Sequence, residues 1–142
     1  TVQYDAECYL CPCNKRANGE VNPDYPSTYS FVNDFSSLID DVPEFEVKES
    51  DLIVAQSERG ICKVVCFSPR HDLTLPELPL PEVDAIIATW MRESADLAAK
   101  PDIAYVQVFE NKGAMMGCSN PHPHSQIWSQ SRMPNGKRCG RP

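Results

Sequence analysis

The stretch GCSNPHPHSQIW, residues 117–128, holds two of the chain's three histidines, separated by one proline and followed by a glutamine. A β-strand sends alternate side chains to one face, so an extended segment here would line up His122, His124 and Gln126. Such a polar row on a buried face loses hydration at a cost of several kcal/mol unless something pairs with it. The pattern therefore points to a bound group. Neutral imidazole is a competent nucleophile at pH 7 and leaves phosphorus readily. A histidine that attacks needs its second ring nitrogen tied to an acceptor, which a neighbouring backbone carbonyl can supply. Pro123 stiffens the segment by fixing φ. Gln126 can donate an amide proton to a phosphoryl oxygen as charge builds there. Upstream, Gly117 and the amides around Cys118 and Ser119 can form a small anion cradle. These parts suit phosphoryl or nucleotidyl transfer. The plainer reading, hydrogen-bonded structural histidines, fits a lone histidine better than a His-Pro-His backed by Gln126.

Cys8 and Cys11 make a C-x-x-C in ECYLCPCN. A redox dithiol of the thioredoxin type would carry tryptophan and a Gly-Pro interior, and both are absent. As metal ligands the pair needs two more donors. His71, in SPRHDLT, and His122 are candidates, and Cys2His2 is a normal tetrahedral zinc set. Cys13 is a rival ligand, and unpaired thiols on a loop are the remaining alternative. Asn33 and Asp34, flanked by Phe31 and Phe35, read as an Asx turn or as acceptors for ribose hydroxyls beside a phenylalanine. ENKG, residues 110–113, is equally open.

These residues must be carried by elements. Residues 28–32 and 63–67 read as strands, the second short, β-branched and apolar. Residues 81–100 form the clearest helix: proline and then an acidic residue suit its first turn. Val83, Ile86, Ile87, Trp90, Leu97 and Ala98 recur on one apolar face that should cover a sheet. Residues 103–110 alternate as a further strand, a glycine-bearing loop follows, and HPHSQIW is the last strand. The order predicts an α+β domain with a mostly antiparallel sheet, one main helix and long N-terminal loops. After Trp128 the chain turns basic without apolar periodicity, so residues 129–142 are expected to be an irregular, poorly ordered tail.

The 142 residues suffice for one domain with its own core. With 42% hydrophobic and 23% charged residues the composition is that of a globular protein. No apolar run approaches the roughly 20 residues needed to cross a bilayer, and TVQYDAECYL shows no export signal. Net charge is −7 and the pI about 4.9. Clustered Lys and Arg, from which polynucleotide binding draws affinity, occur only in GKRCGRP, so no nucleic-acid partner is expected, although a single nucleotide would fit. The seven cysteines, an odd number, read as reduced thiols in a cytoplasmic protein.

Taken in order, CYLCP, NPDYPSTYSFVNDF, CFSPRHDLTLPEL, VQVFENKGAMMGCSNPHPHSQIW and MPN resemble the galactose-1-phosphate uridylyltransferase family of the histidine-triad (HIT) superfamily. The match covers almost everything up to about residue 135, and GCSNPHPH followed by a small residue and Gln is its most specific part. The resemblance implies a HIT-like N-terminal domain over 1–128. His124 would be the nucleophile that takes the uridylyl group from UDP-glucose and passes it to galactose 1-phosphate. Gln126 would hold the uridylyl phosphate, and Gly117, Cys118 and Ser119 would line the phosphates. Asn33, Asp34 and Asn111 would contact the nucleotide, with Phe31 and Val64 near the uracil. Cys8, Cys11, His71 and His122 would form a structural zinc set. A homodimer is also implied, with Leu10 and the loop after it crossing to the second subunit. Full-length members carry an arginine-bearing segment before the zinc cysteines and a second, similar half, and the sequence is read as a fragment that lacks both. Two other readings predict different outcomes. A non-catalytic zinc and nucleotide module would bind without turnover, and a histidine-triad hydrolase would release UMP without a hexose-phosphate acceptor.

Overall fold

The computed structural model describes residues 2–134. In chain order its elements are β1 (Tyr29–Val32), β2 (Glu46–Lys48), β3 (Val54–Gln56), β4 (Gly60–Cys66), α1 (Leu80–Ala98), β5 (Tyr105–Phe109) and β6 (His124–Gln130), with short 3-10 turns at Leu75–Glu77 and Ala114–Met116. Four strands rich in β-branched and aromatic residues pair antiparallel in the order β1-β4-β6-β5, and β2 with β3 makes a separate hairpin. This is the α+β architecture expected from the sequence, with the helix over 80–98. Pro81 and Glu82 occupy its first turn, and Pro101 disfavours a helical Lys100 before it.

Alternation sorts the sheet into two faces. In β6, Ser125, Ile127 and Ser129 are buried while His124, Gln126 and Trp128 are half-buried. The buried set looks at α1. Val65, Leu97 and Ile127 cluster there with Trp90, Val106 and Val108, and the Trp90 indole N–H donates to Ser125 Oγ at 2.8 Å. Burying each such aliphatic side chain contributes about 1.5–3 kcal/mol. The helix face differs from the predicted stripe: Ile87 and Ala98 are exposed, whereas Thr89 and Glu93 are buried. Polar residues fit because partners wait for them. The Thr28 and Thr89 hydroxyls meet at 2.8 Å, and Lys63 Nζ, from β4, lies 2.5 Å from Glu93 Oε2. Burial pushes the Glu93 carboxyl up, but Lys63, helped by Ser30 and Arg92, outweighs that and holds it below the usual range.

The N-terminal loops cover part of the other face. Cys8, Leu10, Cys11 and Tyr25 pack with Val64 and Cys66, flanked by Tyr9, Tyr29 and Phe31. Two asparagines pin the C-x-x-C turn: Asn14 Nδ2 donates to the carbonyls of Asp5 and Cys8, and Asn22 Nδ2 to those of Tyr9 and Cys11.

Three expectations are corrected. β6 starts at His124, so His122 lies in the bend before it, and the polar row on the open face is His124, Gln126 and Trp128. The strand also runs past residue 128. Ser129 is fully buried with its hydroxyl donated to the Ile61 carbonyl, and Gly60 makes the close pairing possible, since a Cβ there would sit 1.9 Å from the Ser129 carbonyl oxygen. The β2–β3 hairpin is an addition; every residue of both strands is exposed, so no core-facing pattern marks it. The rest of the predicted tail, residues 135–142 with Cys139, lies outside the described residues. Among the described residues, no helix is long and apolar enough to cross a membrane.

Candidate active site and metal centre

Strand register gathers the open face. Across the sheet, Phe31 on β1 stands opposite Val64 on β4, Val64 opposite Gln126 on β6, and Gln126 opposite Phe109 on β5. One step along, Tyr29, Cys66 and His124 form the neighbouring row. A cleft of about 220 Å³ opens over these rows, lined among others by Phe31, Asn33, Asp34, Val64, Ser119, His124 and Gln126. A second cleft, of about 300 Å³, is bounded by Glu110–Ala114, Cys118, Asn120–Pro123 and again His124. It includes Asn111. His124 thus stands on the ridge between the two.

His124 is oriented by its own backbone. Its Nδ1 lies 2.7 Å from the His122 carbonyl oxygen; an N–H donated there leaves the Nε2 lone pair unengaged. Gln126 is oriented by a residue the sequence reading overlooked. The Trp128 indole donates to Gln126 Oε1 at 3.0 Å, so the amide NH2 is the end left to donate. Trp128 in turn meets Phe109 edge to face at 5.5 Å between ring centres.

The anion cradle predicted at 117–119 is only partly available. The Gly117 amide donates to the Ala114 carbonyl and the Cys118 amide to that of Gly113, because the 3-10 turn closes on a left-handed Gly117 with φ of +79°. Gly117 lines neither cleft, Cys118 lines the second and Ser119 the first. Leu10, expected to cross to another subunit, is 2% exposed within its own chain and helps line the first cleft. Tyr9, Phe35 and Ser37 also border that cleft. Their only sequence signal was proximity to CxxC and to Asn33.

Behind the ridge, Cys8, Cys11, His71 and His122 are all buried and hold their ligand atoms within 4.8 Å of one another. Cys11 Sγ lies 3.5 Å from His71 Nδ1 and 3.4 Å from His122 Nδ1. His122 Nε2 is 3.0 Å from the Ser68 carbonyl oxygen, which assigns the proton to Nε2 and turns the Nδ1 lone pair toward the thiols. Burial drives the His122 pKa down to about 4, so the ring is neutral, as a ligand must be. Burial also pushes the Cys11 thiol up to about 11, a cost that a cation between the four donors would remove. Asn120 Oδ1 accepts from the His122 amide at 2.9 Å and lies 3.5 Å from Cys8 Sγ. The donor set fits a four-coordinate metal. Cys13, the rival ligand, is exposed with φ of +62° and stands outside the cluster.

Fold and site together define a class: an α+β domain of the HIT-like type that sets an imidazole with one free nitrogen between two clefts and backs it with a buried Cys2His2 cluster. Over residues 1–134 the sequence matches the family described as galactose-1-phosphate uridyl transferase, N-terminal domain, and the chain belongs to that family. It is 52% identical over 132 residues to the galactose-1-phosphate uridylyltransferase of Haemophilus influenzae, covering 93% of this chain and 37% of that protein. Against the enzyme of the same name from Rattus norvegicus the identity is 48%, covering 89% of this chain and 33% of the relative. A solved uridylyltransferase superposes with a TM-score of 0.77 at 28% identity, over 98% of this chain and 43% of the other. The chain therefore spans between about a third and less than half of the length of the curated relatives it matches.

Proposed function

We propose that this chain is the nucleophile-bearing part of a UDP-glucose–hexose-1-phosphate uridylyltransferase. In this reading His124 Nε2 attacks the α-phosphorus of UDP-glucose. The bond from that phosphorus to the bridging oxygen breaks, glucose 1-phosphate leaves with the electron pair, and a uridylyl-histidine remains. Galactose 1-phosphate then attacks the same phosphorus, restores the imidazole and departs as UDP-galactose. Glucose 1-phosphate is a stable anion, so the first step needs no acid on this chain. The proton on Nδ1 stays with the His122 carbonyl, which stabilises the positive charge the ring acquires. The Gln126 amide would donate to the phosphoryl oxygens, Asn33 and Asp34 would take the ribose, Phe31 and Val64 the base, and Ser119, Cys118 and Asn111 the phosphates.

The single observation that carries this reading is the Nδ1 contact of His124 at 2.7 Å, which leaves Nε2 unengaged on a residue that lines both clefts. Cys8, Cys11, His71 and His122 would hold zinc, whose bound charge would keep both thiols ionised and tie the N-terminal loop to the start of β6. A cytoplasmic homodimer is the setting the family likeness supports.

The test is incubation of the purified chain with UDP-glucose labelled in the uridine. The reading predicts acid-labile, base-stable label on His124, absent from His124→Ala, which keeps its metal. Metal and UDP binding with no label would establish the non-catalytic module instead. UMP release without hexose phosphate would establish the hydrolase.

A further inference from the structure

Arg16 carries no motif and lines neither cleft, yet it is 6% exposed. Its Nη2 pairs with Glu20. Its Nη1 stands 3.6 Å from Asp34 Oδ1, the side chains of Arg16 and Asp34 being 4% and 6% exposed. The guanidinium carbon lies 4.1 Å over the centre of the Phe31 ring, which itself stacks on Tyr29 at 5.3 Å. Nε and Nη1 are buried without a hydrogen-bond partner.

An arginine buried for stability alone is expected to use its donors, because desolvating the ion costs more than an idle N–H returns. Here the outward half of the guanidinium is spent on Glu20, whose side chain is 67% exposed. The inward half faces a carboxylate on the wall of the first cleft. The Phe31 ring fixes the plane of the fork, and the turn that carries Arg16 is closed by its own amide, 2.8 Å from the Glu20 carbonyl oxygen. Without the guanidinium beside it the Asp34 carboxylate would be free to swing toward water and away from the direction in which it can accept.

We propose that Arg16 is a positioning residue: it holds the Asp34 carboxylate aimed so that it accepts hydrogen bonds from the ribose hydroxyls of a uridine nucleotide. Arg16 thereby sets selectivity for an intact ribose without touching the nucleotide. The inference rests on the nucleotide reading of the cleft given above. Lysine cannot replace the fork, since its point charge cannot span Glu20 and Asp34 in one plane.

Calorimetric titration of the metal-loaded chain with UDP and with 2′,3′-dideoxy-UDP tests this. For Arg16→Met, UDP binding is expected to weaken about tenfold and dideoxy-UDP binding by less than about threefold. Arg16→Met combined with Asp34→Asn should bind UDP no more weakly than Asp34→Asn alone, because both changes remove one interaction. Arg16→Lys should fall between wild type and Arg16→Met, and it supplies the same comparison should the methionine variant fail to fold. Equal weakening of both nucleotides, or additive losses in the double variant, would reduce Arg16 to a structural role and overturn the inference while leaving the cleft assignment intact. Wild-type chain that binds UDP no better than dideoxy-UDP would also overturn it. Wild-type chain that binds neither nucleotide would overturn the cleft reading and this inference together.

Discussion

His122 is fully buried, donates from Nε2 to the Ser68 carbonyl and turns Nδ1 toward two thiols and a second histidine. His124, two residues on, is half-buried, lines both clefts, donates from Nδ1 to the His122 carbonyl and leaves Nε2 unengaged. The residue type is the same and the ring nitrogens are used in opposite ways. The difference comes from the backbone. His122 lies in the bend and projects into the packed loops, whereas His124 is the first residue of a strand whose alternate positions face open space. The carbonyl of the first histidine orients the second, so the proposed fastener and the proposed reagent are mechanically linked.

Changes that separate the two histidines sharpen this comparison. Cys11→Ala strikes the fastener. It should abolish stoichiometric metal retention and lower stability by about 4 kcal/mol or more, read by metal content after desalting and by urea unfolding. Uridylylation should fail with it, because the carbonyl that orients His124 is no longer held. Trp128→Phe strikes only the reagent's side. Losing the indole N–H frees the Gln126 amide to turn, and uridylyl transfer is expected to slow about tenfold with metal content unchanged. If it lowered metal content as well, the two regions would not be separable.

The smallest effect lies on the far face of the sheet, at Lys63 and Glu93. The Glu93 carboxyl titrates below its ordinary range in the folded chain, so its contribution is present above the unfolded carboxylate pKa and fades as pH falls through the lowered folded value. In Lys63→Met the buried carboxylate loses its cation and its pKa rises. The acid loss of stability that Glu93 contributes should then disappear or reverse, because burial now favours the protonated form in the folded chain. The variant should be less stable at about pH 6, and its urea midpoint should fall less than that of the wild type between about pH 6 and pH 3. Neither histidine should respond.

Local chemistry was the legible part of the sequence. The strands and helix follow from β-branched runs and apolar spacing, and His124 with Gln126 follows from alternation. The C-x-x-C pair suggests a metal site, and the few histidines made His71 and His122 its candidate partners. They lie far along the chain, however, and Cys13 stayed a rival until family likeness and then the fold joined them. The polar residues of the helix face were illegible because Thr89 and Glu93 are acceptable in the core only through Thr28 and Lys63, which the helix sequence does not contain. Arg16 was illegible for the same reason: nothing in its turn-rich loop marks it, and only Phe31, Glu20 and Asp34 bring it inside. The hairpin formed by β2 and β3 has no buried face, so nothing in its pattern separates it from loop.

The opposed use of the two rings is the claim on which the account turns, and long-range 1H–15N correlation of the histidine side chains in the zinc-loaded chain measures it directly. The account predicts that His122 carries its proton on Nε2 with Nδ1 on the metal, while His124 carries its proton on Nδ1 with Nε2 unprotonated. A His124 ring protonated on Nε2 alone, or a His122 ring bound to the metal through Nε2, would contradict it.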